Sequence, residues 1–158
     1  MGDTVTIRAA VPKEAPALLD LMRRAFASHR GRIVPESSVF RETVEVVARQ
    51  LEEGGGFIAV AGSVLVGCVI AEAKEGGAYL GRLAVDPAYR RRGIARRLVA
   101  AAEDYAYRRG LDRVELNVRI ALPDNIALFA ALGYRETGRG THPGFAEPTY
   151  LVMEKALE

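Results

Sequence analysis

The chain has no tryptophan, one cysteine, two histidines and a net charge of only +2 over 158 residues. Each shortage excludes something. With Cys68 alone no intrachain disulfide can form, and a reducing compartment fits. His29 and His142 are too few for a metal site. The small net charge argues against nucleic-acid binding by bulk electrostatics, and no aromatic residues interleave with the arginines to stack on bases. No apolar run approaches the ~20 residues that cross a bilayer. The first residues lack the basic and apolar regions of a signal peptide. Gly2 with Thr6 meets the outline of a myristoylation signal, but Asp3 and the strand-like run behind it make a poor match. The expectation is a cytoplasmic protein that needs no membrane, no metal and no nucleic acid.

What is present reads as one globular domain over residues 1–158, with 49% hydrophobic and 27% charged residues. Residues 4–9 alternate as a half-buried strand. Leu18, Leu21, Met22 and Ala25 or Phe26 then recur at helical spacing, and Phe40, Val44, Val47, Ala48 and Leu51 mark a second helix, closed by Gly54, Gly55 and Gly56. Residues 57–61 and 64–71 are apolar strands joined by Gly62-Ser63, a tight hairpin signal. Gly76-Gly77 turns the chain into a strand over residues 79–85. A helix follows from near Gly93 and stops at Gly110. A strand at 114–118, a short helix from Pro123 to Leu132 and strands at 134–138 and 149–154 complete the order βααβββαβαββ. The fold class is α/β (α+β), one mixed sheet with helices on both faces. Cys68, in an apolar strand, reads as a small buried hydrophobe.

The informative segment is Leu83-Ala84-Val85-Asp86-Pro87-Ala88-Tyr89-Arg90-Arg91-Arg92-Gly93-Ile94-Ala95-Arg96. A strand stops, a loop follows, and a helix opens at a glycine. The first turn of a helix has amides without internal partners and partial positive charge from the macrodipole. Phosphate oxygens bind there, the arginines add charge, and Gly93 removes the Cβ that would block approach. A diphosphate suits this place. A Walker loop would need Gly-Lys-Ser/Thr, and a dinucleotide fingerprint three spaced glycines after a first strand; neither is present. A solvated helix start remains the bland reading of the arginines, and Arg97 is read so.

Arg90-x-x-Gly93-x-Ala95 resembles the R/Q-x-x-G-x-G/A signature of the GNAT acetyltransferases. Leu83-Ala84-Val85-Asp86-Pro87, residues 127–134 and the element order resemble that family too. The resemblance implies a mostly antiparallel seven-stranded sheet flanked by about four helices. Its fourth and fifth strands would splay to admit pantetheine, so Leu83 to Val85 would pair poorly with Leu116 to Arg119. It implies acetyl-CoA as co-substrate, no metal, and direct attack of an amine on the acetyl carbonyl. Backbone groups of Leu83, Ala84 and Val85 would meet pantetheine, the Leu83 amide would serve the thioester oxygen, and residues Arg90, Arg91, Arg92, Gly93, Ile94, Ala95 and Arg96 would wrap the pyrophosphate.

Two departures stand out. Phe129 occupies a position where many members carry a tyrosine that protonates the leaving thiolate. Leu122 stands where many carry an asparagine, leaving Asn125 as the nearest substitute. Tyr79 falls where others have a Glu or His base, but a phenol of pKa ~10 is a poor base at neutral pH; a water chain or Glu72 is the other choice. The acceptor would lie between residues 27–43 and 139–150, which carry both signs of charge (Arg30, Arg32, Glu36, Arg41, Arg139, Glu147) and so do not name it; His142 would line its mouth or simply sit in a loop. A homodimer stays open. The competing readings are a non-catalytic CoA sensor on the same fold and, less well supported, a nucleic-acid module.

Overall fold

The computed structural model describes residues 4–29, 31 and 33–157; Gly2, Arg30 and Arg32 lie outside them. The strands are β1 (Val5–Ala9), β2 (Gly55–Ala61), β3 (Val64–Lys74), β4 (Gly77–Val85), β5 (Arg113–Arg119), β6 (Arg135–Gly140) and β7 (Tyr150–Ala156). The helices are α1 (Ala15–Phe26), α2 (Val44–Glu53), α3 (Ile94–Arg108) and α4 (Pro123–Ala131). One sheet holds all seven strands in the order β1-β2-β3-β4-β5-β7-β6. Every neighbouring pair is antiparallel except β4 and β5. This is the mixed, mostly antiparallel architecture expected from the sequence.

Period-two alternation sends each strand's apolar side chains to two cores. Leu18, Leu21 and Met22 of α1 and Val47 of α2 pack on Ile58, Cys68 and Ile70. On the other face, Leu98 and Val99 of α3 and Phe129 of α4 cover Val69, Val114 and Leu116. Cys68 is fully buried, and burial pushes its thiol pKa up to about 12, so it behaves as a small hydrophobe.

Boundaries moved for local reasons. The expected second helix does not include Phe40: the Thr43 hydroxyl accepts from the Val46 amide at 3.3 Å and starts α2 afresh. Phe40 instead belongs to a 3-10 turn, Ser38–Arg41, capped by Ser37. Only Gly54 ends α2; Gly55 and Gly56 belong to β2. A Cβ on Gly55 would come within 2.6 Å of the Tyr105 ring, so packing rather than helix termination requires it. The β3–β4 turn is Glu75-Gly76, both at positive φ, and Gly77 joins the strand.

Candidate active site

β4 and β5 run parallel for two residue pairs, Ala78↔Val114 and Tyr79↔Glu115, and then part. A bulge in β4 accompanies the divergence. Arg82 and Leu83 together face one residue of β3, because Cys68 pairs with Ala84 while Ile70 pairs with Gly81. Bulges bend a strand and sharpen its twist. Arg82 sits at φ +56, unusual for a non-glycine residue. Past that point Leu83, Ala84 and Val85 line a cleft of about 860 Å³, whose opposite wall includes Leu116, Asn117 and Arg119. That volume lies within the ~300–1,000 Å³ of small-molecule sites.

The cleft continues to the start of α3. Asp86 accepts from the Ala88 amide at 2.9 Å and pairs with Arg24 of α1 at 2.7 Å, which fixes where β4 ends. Both bonds hold its carboxyl below the usual aspartate range. Arg91 (φ +65) and Gly93 (φ +78) both take left-handed backbone, turning the loop sharply into the helix. No side chain caps α3 and no acidic residue occupies its first turn. The first helical bond is Arg97 N–H to the Gly93 carbonyl at 3.1 Å, so the preceding amides point out of the helix start. A Cβ on Gly93 would meet nothing within 4 Å, leaving an open approach to this backbone. Arg91, Gly93, Ile94, Ala95 and Arg96 line the cleft. The chemistry fits a diphosphate: uncompensated amides, a helix dipole and cationic side chains.

The other residues read from the sequence fall into distinct places. Arg90 lines the cleft, but its guanidinium donates to the Ala25 carbonyl at 2.8 Å and so pins the loop to α1. Arg92 is absent from the cleft wall and lies over the Tyr89 ring at 4.8 Å. Asn125 and Phe129 of α4 both line the cleft. Phe129 is also buried, edge-on to Tyr134 at 5.7 Å. The Tyr134 hydroxyl donates to Glu103 at 2.7 Å, and burial first, then Glu103, drives its pKa upward.

Tyr79 stands apart from the cleft wall, with the Lys74 ammonium over its ring at 4.4 Å. Burial raises its pKa further from a base's useful range. Glu72 beside it accepts from Gln50 at 2.8 Å and is likewise off the wall. His142 bonds Thr149 through both its amide (3.0 Å) and Nδ1, and lies edge-on to Tyr150 at 5.2 Å. Burial, then Arg119, lowers the His142 pKa, which favours a neutral ring.

Two arginines escaped the sequence reading. Arg82 pairs with Glu42 at 2.9 Å and bonds Ser38 at 3.1 Å, tying the β4 bulge to the segment before α2. Arg119 reaches the Pro35 carbonyl at 2.6 Å. The only local hint was the alternation of β5, which puts Glu115, Asn117 and Arg119 on the face opposite Val114, Leu116 and Val118. Among the described residues no group of His, Cys, Asp and Glu is placed to hold a metal ion, and no helix is long and apolar enough to cross a membrane.

An uncapped helix start beside arginines, continuous with a gap between two parting parallel strands, suits a long thin ligand with a diphosphate head. The chain belongs to the GNAT acetyltransferase family, whose model matches residues 16–134. The fold is similar to that of the PaiA N-acetyltransferase of Thermoplasma acidophilum, solved in complex with coenzyme A. That match has a TM-score of 0.83 at 19% identity, over 98% of this chain and 99% of that one. It is also similar to the ribosomal-protein-S18-alanine N-acetyltransferase of Escherichia coli (0.77, 24%, 97% of this chain and 94% of that one). An acetyltransferase from Thermus thermophilus matches at 0.73 and 22% identity, over 99% of this chain and 100% of that one. No curated protein matches the chain.

Proposed function

We propose that the protein is an acetyl-CoA-dependent N-acetyltransferase that delivers the acetyl group to a primary amine by direct attack. The observation that carries this is the parting of β4 from β5 after two residue pairs, beside the uncapped start of α3. Membership of the acetyltransferase family and the coenzyme A complex of the Thermoplasma relative support it.

The roles follow from the walls of the cleft. Amides of Arg91, Gly93, Ile94, Ala95 and Arg96 receive the pyrophosphate, with Arg91 and Arg96 adding charge. Leu83, Ala84 and Val85 pair with the pantetheine amides as an added strand would. The Leu83 amide faces the thioester oxygen and stabilises the charge that develops there, by about 3 kcal/mol for one well-placed donor. Asn125 and Phe129 close the α4 side. Acetyl-CoA supplies an activated carbonyl, so no enzyme nucleophile is needed, and buried Cys68 is no candidate for one.

The amine loses its proton to water in the cleft, whose wall includes neither Tyr79 nor Glu72. Tyr79 itself does not act as the base. Phe129 has no proton to give, so the leaving thiolate takes one from the attacking amine or from water. Calorimetric titration with acetyl-CoA and an amine screen read by released thiol test the reading. Micromolar binding with turnover of at least one amine is expected; no binding would overturn it. One observation favours a second reading, a CoA sensor: a phenyl ring where a hydroxyl would assist departure. Binding without turnover of any amine would select it.

A further inference from the structure

We propose that Arg119 is the acceptor-recognition residue of the proposed acetyl transfer, and that the acceptor is a small amino acid whose carboxylate Arg119 binds. The inference rests on that reading of the reaction and adds the substrate class.

Arg119 ends β5, opposite Tyr150 of β7, on the sheet face that α3 and α4 do not cover. Arg119 lines the cleft, and one guanidinium N–H donates to the Pro35 carbonyl at 2.6 Å. That bond uses one of its five donors. Among the described residues no carboxylate pairs with it. Two nearby charges are disposed of: Arg82 is paired with Glu42, and the His142 ring is held toward its neutral form. Burial alone lowers the Arg119 pKa, with no carboxylate acting against it. A half-buried guanidinium without a counter-charge is unfavourable, and a carboxylate satisfies it bidentately.

The position matches the reaction as well as the charge. Counting four residues on from the last parallel pair, Tyr79↔Glu115, sets Leu83 against Arg119. The β4 bulge shortens that strand by about one residue, so the Leu83 amide lies level with Val118 and Arg119 across the gap. Leu83 and Arg119 thus line the same stretch of the cleft. An acceptor that brings its amine to the thioester and its anion to Arg119 carries both groups, as an amino acid does. Phe26 and Ile33 on the same wall offer apolar surface to its side chain.

Product binding tests this without requiring turnover. N-acetyl derivatives of the common amino acids, each beside its C-terminal amide, are titrated calorimetrically into the protein saturated with CoA. At least one acid should bind at least about tenfold more tightly than its amide, the worth of a charge-assisted hydrogen bond. Arg119→Gln should bring that acid down to the affinity of its amide, and Arg119→Lys should restore part of the difference, since it returns the charge but not the fork. CoA affinity and the melting temperature report whether the variants fold. If no acid outbinds its amide in the wild-type protein, or if Arg119→Gln weakens acid and amide alike, the proposal is overturned. If the preference is present but no amino acid is acetylated, Arg119 keeps its role and the transfer reaction is what fails.

Discussion

The two sides of the β4–β5 gap are built in opposite ways. On the α3 and α4 side the site is made of backbone: parted strands, two left-handed residues and a bare helix start within residues 83–96. On the α1 and α2 side it is made of side chains from four separate segments, with Arg82, Arg119, His142 and Glu42 brought together by the sheet. A diphosphate needs amides and space, which any sequence with the right turn provides. An acceptor needs particular charges at particular places, which one protein can change without disturbing the first site. The joint between them is α1, which holds the phosphate loop through Arg24–Asp86 and Arg90 to the Ala25 carbonyl.

If that division holds, changes on the two sides should move different constants. Gly93→Val should act most strongly. A β-branched residue at φ +78 is strained by ~1–3 kcal/mol, and its methyls project over the phosphate approach. The protein should fold, and calorimetry should find acetyl-CoA affinity reduced at least about tenfold, with acceptor recognition altered only through it. Unchanged affinity in a folded variant would remove the loop from the cofactor site.

Phe129→Tyr tests the same side from α4. Well-placed general acids contribute ~10²–10⁴-fold, and a hydroxyl introduced into an existing packing should recover about tenfold in kcat with the KM for acetyl-CoA unchanged. A stable variant with no gain would show that thiolate protonation does not limit turnover. A melted one would mean the contact with Tyr134 leaves no room.

Glu42→Gln moves the other side. It releases Arg82, whose half-buried pair with Glu42 steadies the bulge, and should raise the acceptor KM about threefold, as expected for loss of under ~1 kcal/mol. Acetyl-CoA affinity should hold. An equal loss of both would mean the two sites are not separable.

The smallest effect belongs to the joint. Asp86→Asn keeps an acceptor for the Ala88 amide and loses the charge facing Arg24, itself 46% exposed, so less than ~1 kcal/mol of stability should go. Because the native carboxyl pKa is depressed, its contribution is complete above the ordinary value of ~3.9 and fades as pH falls through the lower native value. Melting curves of wild type and variant should therefore stay a fixed distance apart at neutral pH and converge in acid.

The same division explains what the sequence could disclose. The proposed cofactor side could be named from the sequence because its determinants are adjacent: a strand, Asp86-Pro87, the arginines and Gly93 appear in one stretch. Even there the sequence did not show that Arg90 faces α1 or that Arg92 lies on Tyr89, since both depend on a partner distant in the chain or on a rotamer. The element order was legible from periodicity, but the start of α2 was not. Phe40 and Val44 keep the helical spacing while Thr43 between them breaks the helix. The proposed acceptor side left almost no trace. Arg119 and Pro35 are 84 positions apart, and Arg82 meets Glu42 from 40 positions away. Tyr79 was chosen by position along β4, and the burial that disfavours it as a base is visible only once the sheet is assembled.

The central claim is that CoA enters where β4 leaves β5 and rests its diphosphate on the start of α3. Amide hydrogen exchange, measured with and without CoA, tests it at the backbone itself. The account expects amides of residues 83, 85 and 91–96 to slow by at least about tenfold on binding, while those of His142 and Tyr150 on the acceptor side change little. CoA binding that protects the acceptor side and leaves residues 91–96 exchanging as before would contradict it.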